Sequence, residues 1–361
     1  MKVDKIHSSS KLALSSLVLS AVLTVARVNI PARVEAIGSP YQWNQQVDVD
    51  YLGGSIYGSS SAISSNGSHL AFGVWGGSSP LYISRNYGVT WEDVADTAEP
   101  GVKNNWFSVD MSNDGQTIVA ASYSSDGDGT GEVFVSEDSG SSWQNITPGS
   151  ANAWVSVSIA GESGEIVALA ADDPSNVYIT SNNGGSWTTS PIENISSWKS
   201  LSVSEDGGDI LIGGENSVAL SSIVYISKDG GTSWQNITPP DTRSGSYAST
   251  KVDISSNGNK LIVGTAAYDG DSGAYDTVHF SDDAGVSWTE ITPVDEKANH
   301  QWDVAISGNG TVLTVADYGY PGSVFVSDDA GADWIEENPG LDFGDTSLEW
   351  SNIVINDNGS R

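Results

Sequence analysis

Past residue 56 the chain is written in short alternating runs, apolar at every second place, separated by clusters of Asn, Asp, Ser and Gly. That pattern predicts half-buried strands joined by tight turns. One family of runs ends in an Asx/Gly turn: VDMSNDG from Val109, VSIAGESG from Val157, LSVSEDGG from Leu201, VDISSNG from Val252 and VAISGNG from Val304. A more apolar run follows each, as in TIVAAS, DILIGG and KLIVGT, and a third, such as EVFVS or IVYIS, leads into an eight-residue box. The box reads Ser-x-Asp/Asn-x-Gly-x-Ser/Thr-Trp, with Thr180 opening the third copy and Asp333 at the seventh place of the last. Short fourth runs (QNITP, TEITP) come after it and stop at proline, which cannot continue a ladder. No helix-period apolar pattern survives beyond the first 35 residues.

The six box tryptophans, Trp91, Trp143, Trp187, Trp234, Trp288 and Trp334, lie 52, 44, 47, 54 and 46 residues apart. Four short strands per repeat of this length describe one blade of a β-propeller. The predicted fold is therefore an all-β propeller of four-stranded antiparallel blades. Six units are complete, the first at 57–97 and the last ending near Pro339. Trp43 to Val47 reads as a fourth strand and Trp350 to Gly359 as a first strand with its turn. Together they predict a seven-bladed ring with an incomplete composite last blade, the chain being truncated at its C-terminus; the alternative is a closed six-bladed ring.

The N-terminus reads differently. Lys2, Lys5 and Lys11 precede an uncharged apolar core, Leu12 to Ala26; Pro31 then breaks it, and Val34 and Ala36 stand at −3 and −1 of a cut before Ile37. Residues 1–36 are expected to be a signal peptide and 37–361 the propeller. The core is short for a membrane span of ~20 residues. The expectation is a secreted or cell-surface monomer with no membrane insertion after cleavage, an uncleaved anchor being the alternative.

The chain has 361 residues, no cysteine and a net charge of −32. Without residues 1–36 it keeps 9 basic against 44 acidic residues, net −35. Phosphate backbones require clustered Lys and Arg, so nucleic acid is excluded as a partner. With no thiol, neither cysteine nucleophiles nor thiolate metal sites are available, and stability rests on burial and ladders.

In the box, the Asp or Asn (Asn86, Asp138, Asn182, Asp229, Asp283, Asp329) is placed to accept backbone N–H groups, and the glycine to take a positive φ. Asn at two of six positions shows that charge is dispensable, so these residues are read as structural. The box resembles that of Asp-box (bacterial neuraminidase) repeats, and residues 43–359 resemble that superfamily, which includes sialidases, xyloglucan-active hydrolases, the sortilin ectodomain and photosystem II assembly factors. The resemblance implies fold rather than chemistry. A sialidase would need three arginines around a carboxylate. Only Arg85, Arg243 and Arg361 follow residue 36, Arg85 inside a box and Arg361 at the last position, so a sialidase is not expected. A glycosidase needs two facing carboxylates about 5–10 Å apart, which so acidic a chain leaves open. His69, His279 and His300 show no metal-ligand spacing.

Two features remain as binding candidates. An aromatic opens each innermost strand, at Tyr57, Trp106, Trp154, Trp198, Tyr247, Trp302 and Trp350, either as a ring of docking faces near one channel mouth or as blade-to-blade packing. Acidic glycine loops at Asp126 and Asp128, and at Asp269 and Asp271, have oxygen ligands that suit Ca²⁺; no other cofactor is expected. The leading functional expectation is a non-enzymatic binding or scaffold propeller that recognises protein or glycan through a blade-end face. A polysaccharide-active glycoside hydrolase and a structural repeat of a larger surface protein are the alternatives.

Overall fold

The computed structural model describes residues 57–75, 80–98, 104–124, 131–149, 153–160, 166–171, 176–216, 218–219, 221–240, 249–268, 274–293, 302–317, 322–337 and 352–359. They form a β-propeller of four-stranded antiparallel blades, each blade's strands hydrogen-bonded in sequence order. Blade 1 comprises β1 (Tyr57–Ile63), β2 (Leu70–Trp75), β3 (Leu81–Ser84) and β4 (Glu92–Asp93), followed by a short helix, α1 (Ala95–Ala98). Blade 2 is β5 (Asn104–Met111), β6 (Ile118–Ser124), β7 (Val133–Ser136) and β8 (Gln144–Asn145). Blade 3 is β9 (Trp154–Ala160), β10 (Ile166–Ala171), β11 (Asn176–Thr180) and β12 (Thr188–Pro191). Blade 4 is β13 (Ile195–Val203), β14 (Ile210–Asn216), β15 (Ser222–Ser227) and β16 (Gln235–Asn236). Blade 5 is β17 (Ser249–Ile254), β18 (Leu261–Tyr268), β19 (Ala274–Ser281) and β20 (Thr289–Glu290). Blade 6 is β21 (Trp302–Ile306), β22 (Leu313–Asp317), β23 (Val324–Ser327) and β24 (Ile335–Glu337).

Apolar side chains fill the space between adjacent blades. Leu81 and Ile83 of blade 1 meet Val109, Ile118 and Phe134 of blade 2, and Val119, Val133 and Val135 of blade 2 meet Val157 and Ile159 of blade 3. The six boxes close the hairpins between third and fourth strands. In each, the first hydroxyl donates to the Asp or Asn Oδ1 at 2.8–3.1 Å. It also accepts the N–H of the box glycine at 2.7–3.1 Å. The same Oδ1 accepts the N–H four residues on, at 2.7–2.9 Å. Asn86 and Asn182 make the Oδ1 bonds as well as the aspartates do. These bonds to the charged form hold Asp138, Asp229, Asp283 and Asp329 below the usual carboxylate range, the Ser142, Ser233 and Ser287 hydroxyls leading for the first three and the Asp333 N–H for the last.

Four of the six boxes also latch onto the preceding blade through their tryptophan, Trp234 donating to the Ser190 hydroxyl at 2.8 Å, while Trp91 and Trp143 donate to the glycine carbonyl of their own box. Trp187, Trp288 and Trp334 donate Nε1–H to the carbonyls of Ile146, Ile237 and Ile291 in the preceding blade, each at 2.9 Å. The box glycine backs onto that blade too. Gly231 has φ +83°, and a Cβ there would lie 2.0 Å from Ile179 Cδ1. Gly231→Ala is expected to cost about 2–4 kcal/mol, from left-handed strain plus overpacking against blade 3. Equilibrium urea unfolding checks this, and a loss below about 0.5 kcal/mol would show that the box relaxes freely. The residue before the glycine is also left-handed: Tyr87, Ser139, Asn183, Ala284 and Ala330 have φ between 50° and 62°.

Residues 352–359 occupy the innermost position between blade 6 and blade 1. Asn352 Oδ1 accepts the Ser61 N–H at 2.9 Å and Asn356 Nδ2 donates to the Ser65 carbonyl at 3.2 Å. On the other side, Asp303 accepts the Ile353 N–H, and the Asn309 N–H donates to the Asp357 carbonyl at 3.2 Å. The expected signal segment at 1–36 and the strand at Trp43 to Val47 lie outside the described residues.

Candidate functional site

Inner strands of adjacent blades belong to separate sheets, so no ladder joins them. Side chains do instead. The hydroxyl of Ser60 accepts the Val109 N–H at 3.0 Å, that of Ser108 the Val157 N–H at 3.0 Å and that of Ser200 the Val252 N–H at 3.0 Å. Where blade 6 meets the closing segment, Asp303 takes this place. Two residues further along, aspartates repeat the contact. Asp110 Oδ2 accepts the Ser158 hydroxyl and the Ile159 N–H, each at 2.9 Å. Asp253 spans three blades, accepting the Ser202 hydroxyl at 2.6 Å and the Ile306 N–H at 2.8 Å.

All of these line a central channel with an open cavity of about 290 Å³. Burial raises the pKa of each carboxyl despite its hydrogen bonds, Asp110 and Asp253 to about 6, and the charge on Asp110 adds to the rise at Asp253. Burial also raises Asp303, against the opposing pull of Lys251, whose Nζ is 3.6 Å from Asp303 Oδ1. At the box end, adjoining turns bond across blades: Glu205 N–H to the Ser256 carbonyl and Ser256 N–H to that of Gly308, each at 2.9 Å.

Of the two placements that the sequence left open for the aromatics, packing rather than docking is the one taken by the tryptophans whose side chains are described. Trp106, Trp154 and Trp198 are 2%, 1% and 1% exposed and offer no face to a ligand. They pack against the preceding blade, Trp106 on Leu81 and Ile83, Trp154 on Val119 and Val133 and Trp198 on Val177 and Ile179, and within their own blades Trp106 meets Phe134 edge-on at 5.8 Å and Trp154 meets Tyr178 edge-on at 5.3 Å. The cause is a β-bulge in each strand, between Trp106 and Ser108 in β5 and between Trp198 and Ser200 in β13, with a shift beside Trp154 in β9. A bulge inserts one residue and re-aims its neighbours. The tryptophan goes into the core, and Phe107, Val155 and Lys199 are left on the channel wall, Phe107 being 38% exposed. Tyr57 and Trp302 begin inner strands as expected. Tyr247, Trp350 and the proposed calcium residues Asp126, Asp128, Asp269 and Asp271 lie outside the described residues. Among the described residues there is no cluster of three or more metal-ligating side chains, and no helix long and apolar enough to cross a membrane.

Comparison with known proteins agrees with this architecture. A family model described as Sortilin, neurotensin receptor 3 matches residues 131–273. No curated protein matches by sequence. Among solved structures, the GH74 xyloglucanase from Xanthomonas campestris superposes with a TM-score of 0.61 at 13% identity, over 79% of this chain and 46% of that one. Hydrazine synthase from Kuenenia stuttgartiensis does so with a TM-score of 0.59 at 12% identity, over 84% of this chain and 90% of that one. YCF48 from Cyanidioschyzon merolae gives 0.50 at 16% identity, over 78% and 85%. The chain thus spans under half of the xyloglucanase, and the likeness is one of fold.

Proposed function

We propose that this chain is an exported, non-enzymatic binding propeller that recognises a protein or glycan at the end of the ring opposite the boxes. The observation that carries the reading is the commitment of the channel carboxylates. Asp110, Asp253 and Asp303 each hold backbone N–H groups of a neighbouring blade. A glycosidase acid and its partner must instead be free to face one sugar from two sides. The bulged Phe107, Val155 and Lys199 add an aromatic face, an apolar side chain and a cation to the channel wall. In this reading residues 1–36 direct export, 352–359 are the inner strand of a composite seventh blade, and the propeller acts as a monomer.

The test is capture on a glycan array and from a secreted-protein library, comparing the wild type with Phe107→Ala/Lys199→Ala. The double variant is expected to lose at least tenfold in affinity for whatever the wild type retains. Equal retention by both proteins would remove this wall as the recognition surface. Release of reducing ends from a polysaccharide by the wild type, abolished in Asp110→Asn, would establish the hydrolase alternative.

A further inference from the structure

We infer that Lys251 and Asn352 react with each other in the folded protein, forming a side-chain amide bond that closes the ring covalently. The three groups such a reaction needs stand in order around the channel, on successive innermost segments. Lys251 is on β17 of blade 5, Asp303 on β21 of blade 6 and Asn352 in the closing segment 352–359. Lys251 Nζ, the nucleophile, lies 3.6 Å from Asp303 Oδ1. Asn352 Nδ2, the leaving group, donates to Asp303 Oδ2 at 3.1 Å. One carboxylate thus faces both the nitrogen that must lose a proton and the nitrogen that must gain one. The third requirement is a polarised carbonyl. Asn352 Oδ1 accepts the Ser61 N–H of blade 1 at 2.9 Å and also the Ser61 hydroxyl. Two donors on one carboxamide oxygen draw charge from its carbon and stabilise the oxyanion that attack creates there.

The step balances without a co-reactant. The Asp303 carboxylate takes a proton from the Lys251 ammonium, and the freed amine attacks Asn352 Cγ to form the new C–N bond. Asp303 then passes its proton to Asn352 Nδ2 and takes a second one from Nζ. The Cγ–Nδ2 bond breaks, ammonia leaves through the open channel, and the last proton goes with it as ammonium, which restores the carboxylate.

The surroundings suit a single slow turnover. Asp303 is only 7% exposed and is fixed by the Ile353 N–H, whereas Lys251 is partly exposed on a flexible four-carbon stem, free to move from the carboxylate to the carbonyl carbon. An ammonium is a weaker acid than a carboxylic acid, so freeing the amine is uphill. Holding both partners on one carboxylate offsets this by proximity, and the bond need form only once per chain. It follows ring closure, so newly folded chains carry the hydrogen-bonded groups alone. The chain has no cysteine, and this bond would do what a disulfide does elsewhere, closing a loop of about 100 residues in the unfolded state.

The experiment is peptide mapping by mass spectrometry of the whole protein, aged near neutral pH and then denatured. Trypsin is expected to spare Lys251 and to release residues 244–260 attached to residues 298–361, at their summed mass less one ammonia. Fragmentation is expected to place the branch at Lys251 and Asn352. Lys251→Arg keeps a cation beside Asp303 and is expected to give no branched peptide; Asp303→Asn is expected to lose it as well. Ser61→Ala, which keeps the N–H and loses the hydroxyl, is expected to form it at least about tenfold more slowly. Should a variant not fold, the wild-type map decides alone. Complete cleavage after Lys251 in the aged wild type, hydrolysis of the Asn352 carboxamide without a branch, or an undiminished branch in Asp303→Asn would overturn the inference.

Discussion

Trp154→Ala is expected to lower the free energy of unfolding by about 3–5 kcal/mol, the range for truncating a large buried aromatic. The indole is 1% exposed, packs edge-on against Tyr178, and sits among Val119, Val133 and Val135 of the neighbouring blade. Its Nε1–H donates to the Gly131 carbonyl of blade 2 at 3.2 Å, so the truncation also orphans an acceptor at the blade junction. Trp154→Phe keeps most of the packing and loses that bond, and is expected to cost about 1–2 kcal/mol. Half-buried Trp143 supplies the control, its alanine variant losing less than that of Trp154. Guanidinium unfolding measures all three. A Trp154→Ala variant within 1 kcal/mol of the wild type would falsify the packing role and return this indole to the candidates for ligand contact.

The same tryptophans show what the chain made legible and what it hid. Box and blade were readable because their bonds are local: Ser136 to Asp138, Gly140 to Ser136 and Ser142 to Asp138 span two or four residues, within the reach of a motif. The bulge was not read, although its signature is present. Trp106 and Val109 lie in one core cluster, yet they are three residues apart, and side chains of a regular strand share a face only at even spacing. The spellings WFSV, WVSV and WKSL each carry that odd interval. The tryptophan therefore lies in the core, and Phe107 takes the channel wall. The locking aspartates were hidden for another reason. Asp110 and Asp253 sit at alternating polar positions of inner strands, as do Ser158 and Ser202, and nothing local separates them from the remaining acids. What distinguishes them is a neighbouring backbone some 50 residues away, which only the packing of one blade on the next supplies.

The second large effect is expected where residues 352–359 join blade 6 to blade 1. Asp303 accepts from the Ile353 N–H and from Asn352 Nδ2 at 3.1 Å and pairs with Lys251, while Asn352 in turn accepts the Ser61 N–H. One relay thus runs from blade 5 through blade 6 and residues 352–359 to blade 1. Asp303→Ala leaves a buried N–H without an acceptor and Lys251 without its partner. Lys251 is partly solvated, its side chain 34% exposed, so most of the loss falls on the orphaned amide and Asn352. The expected cost is about 2–4 kcal/mol. Asp303→Asn, which retains one acceptor oxygen, is expected to cost about half as much. Because the damage is local, cleavage after residue 352 in limited proteolysis should accelerate by at least tenfold in Asp303→Ala, before global unfolding is detectable. Loss of global stability without faster cleavage at the seam would mean that residues 352–359 are held by their apolar contacts, Ile353 foremost, and that the polar relay is secondary. Unchanged stability together with unchanged cleavage would remove Asp303 from ring closure altogether.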